Sequence, residues 1–259
     1  MSRQEILEKL ADQHEAQIKK TLQNLEQEIV SSISKATGGS ELISTRIAIE
    51  LRKDIKRHIQ ETYLTQADTI IRDYDKVVNE FMKEYGELNI PEKFKSLTKI
   101  DLETITSLKY QSFSGFEDLA NRYLTEISGN VYQNAIAGRS FKDMVKDIKA
   151  KINGAVDVRG RPMSIYAGQI AHDSIMQFDG QFTVFKSKEA GLKHFKYTGS
   201  KDQANRPFCR GHVGRIYTEK QIRNIWKGDW AGKSSGDPFI VRGGYRCRHT
   251  WLPIDKDWQ

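Results

Sequence analysis

KSKEAGLKHFKYTG, residues 186–199, is the stretch in which the chain changes its periodicity. Upstream of it, the run from Met163 carries Ile165, Ile170, Ile175, Met176 and Phe182 as the apolar contacts of a helix, and Gly191 supplies the stop. Downstream, Lys193 to Tyr197 alternates polar and apolar residues, with Phe195 and Tyr197 on one face, as a half-buried strand does. A helical sequence therefore gives way to a sheet-forming one around a single glycine. The expected fold class is α+β: a long N-terminal helical arm followed by a small mixed helix-and-sheet C-terminal domain.

Working toward the C-terminus, further strands are expected at about His212 to Tyr217, Pro238 to Val241 and Tyr245 to Leu252, with a helix from Thr218 to Lys227 among them. Toward the N-terminus the text is nearly free of punctuation. Six glycines and Pro91 precede residue 153, while thirteen glycines, four prolines and all four tryptophans follow it, so long helices come first and a turn-rich domain second. The division is placed at residues 1–129 for the arm, a protein-interaction region, and 130–259 for the domain, whose basic sheet region spans about 186–254.

Within the arm, Ile18, Leu22, Leu25, Ile29 and Ile33 recur at spacings of four, three, four and four and line one helix face, and Gly38-Gly39 ends that helix. Ser40 and Glu41 suit a second start, and Ile55, Ile59, Tyr63, Ile70, Tyr74, Val77 and Phe81 carry a stripe toward Gly86, in a helix expected to exceed forty residues. Two covers for these stripes stand open, a helical hairpin within the chain or the surface of a larger partner. After Pro91, helices are expected near Lys99 to Tyr110 and Phe116 to Ala137, the latter closed by Gly138, and Ser140 caps a helix from Phe141 to Ile152.

With 259 residues, 38% hydrophobic and 10% aromatic, the chain can bury a sizeable core. Two cysteines exclude a disulfide-stapled scaffold and point to a reducing compartment. The opening MSRQEILEKLADQHEAQ has no apolar core of a signal peptide, and no eighteen apolar residues run together, so a soluble intracellular product that does not span a membrane is expected. No phosphate loop, dinucleotide fingerprint or serine-hydrolase elbow is present. GKSSG at residues 232–236 reads as a flexible turn, and Trp226 and Trp230, four apart, read as core anchors.

Charge is concentrated. Between Lys186 and Arg248 fifteen Lys or Arg face five acids, a local balance of plus ten, while the remaining residues sum to minus three. One end of the molecule is thus suited to a polyanion, with nucleic acid the leading candidate and a merely solvated basic surface the alternative. The residues placed in contact with nucleic acid are Lys193, Lys196, Lys201, Arg206, Arg210, Arg215, Arg242, Arg246 and Arg248. No base-reading motif accompanies them, so the expected binding is non-specific and salt-sensitive.

The segments YTGSKDQANRPFCRGHVGRIYT (197–218) and DPFIVRGGYRCRHTWLPI (237–254) pair Cys209-x-x-His212 with Cys247-x-His249. Two thiolates and two imidazoles have the composition of a structural zinc site, in which Cys247 and His249 would share one face of a strand. The other reading makes the cysteines small buried hydrophobes and the histidines hydrogen-bonded side chains. A redox pair lacks a C-x-x-C motif, though a late disulfide stays open.

These segments also carry a resemblance. A helix near AGRSFKDMVKDIKAKI, a second near IAHDSIMQFDGQF, then EAGLKHFKYTGSKDQANRPFCRGHVGRIYT and GGYRCRHTW resemble, over about residues 130–254, the phage Mu F-like minor head protein, or phage head morphogenesis, family. Asp202, Arg206, Pro207, Cys209, His212, Gly214, Cys247, Arg248 and His249 occupy the places of the family pattern. The ending has His249 where Cys is commoner, and Val213 follows His212 where the family has Gly. The resemblance implies a minor structural protein of a tailed-phage virion, made in the host bacterial cytoplasm and located in the capsid interior or at the portal vertex. It would meet portal protein or major capsid protein and packaged double-stranded DNA, act in head assembly or in DNA packaging and ejection, and catalyse nothing. The enzymatic alternative is a metal-independent nuclease or toxin-like domain of barnase type, drawing on His194, His212, His249, Asp202 and Glu219.

Overall fold

The computed structural model describes residues 2–38, 42–154 and 161–255. In chain order the elements are α1 (Arg3–Thr37), α2 (Thr45–His58), a π-helical turn (Ile59–Leu64), α3 (Thr65–Arg72), α4 (Tyr74–Gly86), a 3₁₀ turn (Glu92–Phe94), α5 (Lys99–Ile136), α6 (Phe141–Ile152) and α7 (Met163–Glu189). Then follow β1 (His194–Thr198), α8 (Pro207–His212), β2 (Ile216–Thr218), α9 (Glu219–Ile225), α10 (Pro238–Val241) and β3 (Thr250–Ile254). The fold is α+β, with one antiparallel sheet in the order β2-β1-β3. No helix among the described residues is long and apolar enough to cross a membrane.

The helices follow local chemistry. Ser44 caps α2 by accepting the Ile47 N–H, and Ser140 caps α6 by accepting that of Asp143. Gly138 and Gly191 take positive φ of 60° and 68° beyond the ends of α5 and α7. The start expected at Ser40 and Glu41 lies outside the described residues. The single helix of over forty residues is instead broken into α2, the π turn, α3 and α4. Ile55, Ile59, Tyr63 and Ala67, all buried, are each four apart, and a helix of about 3.6 residues per turn would rotate that stripe off the core, so a wide turn keeps it in place. Conversely, the two helices expected on either side of Gly115 are one, α5. A lone glycine costs a helix only about 1 kcal/mol, and burial of Phe116, Leu119, Tyr123, Ile127 and Val131 along one face outweighs that.

The chain divides into two compact units, both discontinuous: Met1–Asp12, Ile71–Ser112 and His172–Gln259 form one, Gln13–Ile70 and Phe113–Ala171 the other. In the second, helical unit, Ile18, Leu22, Leu25, Ile29 and Ile33 have no exposed surface. Of the two covers open for that stripe, the chain itself is the one found. Asn153 donates to the Leu22 carbonyl and to Glu26, and Thr62 donates to Glu28 at 2.6 Å, which ties α1 to the end of α6 and to the π turn.

In the first, sheet-bearing unit, Tyr74 and Phe81 of α4 pack with Phe178 and Phe182 of α7, and Tyr85 stacks on Phe81, at ring separations near 5 Å. The sheet core is Phe195, Tyr197, Phe208, Cys209, Ile222, Phe239, Cys247 and Trp251, with Trp226 and Trp230 packed against it, as anchors rather than a ligand cage. Three expected strands change here. Pro238 to Val241 is a helical turn, because Asp237 accepts the Phe239 N–H and Pro238 occupies the first turn. His212 ends the helix that Pro207 opens, so β2 begins only at Ile216 after Gly214 turns with φ of 85°. Tyr245 to Arg248 is a loop, with Arg242 and Arg246 at φ of 53° and 51°, and β3 starts at Thr250. The helix expected from Thr218 is α9, opened by a reciprocal cap between Thr218 and Gln221.

Candidate metal centre and basic groove

Three of the four expected ligands converge. Cys209 sits on α8, Cys247 in the loop before β3 and His249 at that loop's end, all three buried, and their donor atoms lie within 4.8 Å of one another, a group that can hold a metal ion. Cys209 Sγ is 3.9 Å from Cys247 Sγ, which is 3.8 Å from His249 Nδ1, and both cysteines are free. His212 is not in the group. Its Nδ1 is 2.6 Å from Tyr217 Oη and its ring packs on Phe208, because the helical turn that carries Cys209 inward aims residue 212 at β2. Burial, with the charge of Arg215, holds its pKa below the usual range.

Neighbouring groups fix the donor atoms. His249 Nε2 lies 3.0 Å from the Ser200 carbonyl, which only accepts, so Nε2 is the donor there and Nδ1 is the nitrogen turned toward Cys247. Gly199, at φ 153°, lies so close to the imidazole that a Cβ there would be 2.5 Å from His249 Cδ2. The Gly243 N–H donates to Cys247 Sγ at 3.2 Å. Burial opposes ionisation of Cys247, but its hydrogen bonds with Cys209 and His249 and the nearby Arg242 hold it well below the usual thiol range, while that same Cys247 contact and burial push Cys209 up. Two cysteine sulfurs and an oriented imidazole nitrogen are the donor set of a soft or borderline metal.

The rest of the motif braces this cluster. Arg248, between the two ligands, turns outward to Asp202 at 2.7 Å, and that hydrogen bond keeps the Asp202 carboxyl below its ordinary range. Arg206 donates to the Tyr245 carbonyl and Arg210 to that of Asn205. Of the expected nucleic-acid contacts, Lys193, Lys201, Arg210, Arg215 and Arg246 are exposed, whereas Lys196, Arg206 and Arg248 are half-buried. Arg242 is 2% exposed and cannot reach a phosphate; it is buried beside Cys247, and burial lowers its pKa.

A groove of about 700 Å³ runs between the sheet edge and α9, lined by Lys193, His194, Thr218, Glu219, Lys220, Arg223, Asn224 and Lys227. Arg223 is neutralised by Glu219 and Asp237 at 2.8 and 2.9 Å. Lys193, Lys220 and Lys227 have no ion-pair partner among the described residues. Lys220 lies on α9 and Lys227 in the turn after it, both outside the motif; their spacing of seven along the expected helix Thr218 to Lys227 was the available signal. The sequence marks Tyr197 only as a residue on one face of a strand, yet its Oη is 3.4 Å from both sulfurs. Comparison with protein-family models, curated proteins and solved structures finds no match.

Proposed function

We propose that the protein is a minor structural component of a tailed-phage head, located at the portal vertex or capsid interior, whose small domain contacts packaged double-stranded DNA without reading its sequence. The observation that carries the DNA contact is the groove: three lysines without acidic partners face one open cleft, inside a segment whose net charge is plus ten. The head role rests on the motif resemblance, supported by the way Asp202 meets Arg248 and Cys209 meets Cys247 and His249 across some forty residues of chain. Because the α1 stripe is covered internally, contact with portal or major capsid protein falls to other side chains, among them the exposed Leu42, Ile49 and Ile136 of the helical unit.

Zinc is the ion we assign to Cys209, Cys247 and His249. Thiolate and imidazole donors suit it, and its role is architectural, joining α8 to the loop before β3 in a domain with a small core. Co-purification of the chain with portal protein and its presence in gradient-purified virions test the head role; absence from virions overturns it. His194 and Glu219 line the same groove as Lys220 and Arg223, which keeps the nuclease as the second reading. Cleavage of RNA or DNA by the purified chain, lost in His194→Ala, would favour that reading.

A further inference from the structure

We propose that Tyr197 supplies the fourth ligand of the metal centre, its phenolate oxygen completing a two-sulfur, one-nitrogen, one-oxygen site. This rests on the assignment of zinc to Cys209, Cys247 and His249. A four-coordinate zinc with bonds of about 2.3 Å to sulfur and about 2.0 Å to nitrogen or oxygen places its ligands at the corners of a tetrahedron, with S···S about 3.8 Å and both S···N and S···O about 3.5 Å. The observed separations are 3.9 Å for Cys209 to Cys247, 3.8 Å for Cys247 to His249, and 3.4 Å from Tyr197 Oη to each sulfur.

Equality of the last two distances matters. Oη stands equally far from the two sulfurs, where a fourth vertex lies over the S···S edge. The oxygen is held there. Tyr197 is fully buried in the middle of β1, its ring lies parallel to that of His249 at 9° with centroids 5.1 Å apart, and Trp251 packs against it at 4.4 Å. Residue 243 is glycine, and a Cβ there would crowd Cys209 Sγ and come within 2.9 Å of both Cys247 Sγ and Tyr197 Oη, so the space that faces all three donors is kept free of side chain.

The test uses the intact chain, freed of metal under reducing conditions and titrated with zinc. The expected result is one zinc per chain, accompanied by the ultraviolet difference band of one ionised tyrosine, with the band lost and affinity reduced about 10- to 100-fold in Tyr197→Phe. Cobalt titration of the same two proteins should give different visible spectra, since a water replaces a phenolate. If zinc binds the wild type without a tyrosinate band, Tyr197 is not a ligand, whatever Tyr197→Phe does to folding, and the zinc assignment stands. If the wild type takes up no zinc, the assignment itself falls and this proposal with it.

Discussion

Single atoms decide whether the buried polar groups are useful or costly. Gly243 is the sharpest case: adding a methyl group drives it against Cys209 Sγ, so Gly243→Ala should lower stability by about 1–3 kcal/mol in denaturant titration, and an unchanged midpoint would mean that the thiols are not where they are described. Tyr63 lies at the other extreme. It is fully buried, packs on Phe116 at 6.2 Å, and its hydroxyl has no hydrogen-bond partner among the described residues. Removing an unpaired buried hydroxyl relieves its desolvation, so Tyr63→Phe should stabilise the protein by about 1 kcal/mol. A loss of stability would reveal a partner for that oxygen. Tyr123 behaves differently again, because its hydroxyl donates to the Arg161 carbonyl at 2.7 Å and burial, with Glu126 nearby, pushes its pKa up to about 12. A raised phenol pKa favours the neutral form in the fold, so its contribution is complete below pH ~10 and is lost as pH rises toward 12. Because Tyr63, Tyr74, Tyr85 and Tyr197 are shifted upward too, alkaline unfolding monitored by circular dichroism should show a smaller loss of stability in Tyr123→Phe than in the wild type, and equal losses would mean that Tyr123 contributes none. At this scale the sequence made Cys209, Cys247 and His249 legible through their spacing, but not Tyr197, whose position in an ordinary strand carries no motif, nor the exclusion of His212, which depends on a helical turn opened by Pro207.

Elements were legible where a chemical signal marks their ends. Ser140, Gly138 and Gly191 are such signals, and α6, α5 and α7 begin or end at them. Misreadings came where a signal has two meanings. Asp237-Pro238 begins a helical turn as readily as it precedes a strand, and the apolar FIV that follows suits either. The stripe Ile55-Ile59-Tyr63-Ala67 reads as helical, but its spacing of four also encodes the π turn. Gly115 was the remaining ambiguity, and it yields a test of α5. A Cβ there would meet Ile170 Cγ2 at 3.8 Å, an ordinary contact, and the backbone is helical, so Gly115→Ala should stabilise the helical unit by up to about 1 kcal/mol. Destabilisation in thermal melts would show that the helix is broken at that residue.

For the whole molecule, composition and contacts cut the chain differently. The change of composition near residue 153 separates a sparse half from a turn-rich one, whereas the two compact units are assembled from three and two segments, since α1, α3, α5 and α7 each contribute to both. Long-range burial of this kind leaves no local mark, because an amphipathic stripe shows that a face is covered and not by what. Charge segregation, in contrast, was legible by counting, and it supports the functional proposal most directly: a groove carrying Lys193, Lys220 and Lys227 should hold a phosphate backbone by counterion release. The decisive measurement is the equilibrium affinity of the intact chain for a mixed-sequence DNA duplex over a range of salt concentrations, beside the Lys193→Glu/Lys220→Glu/Lys227→Glu variant. The expected result is an affinity indifferent to sequence, falling with a log–log salt slope of about −3 or steeper, and a slope shallower by about 3 with much weaker binding in the variant. An affinity that does not change with salt, or one that the three reversals leave intact, would contradict it.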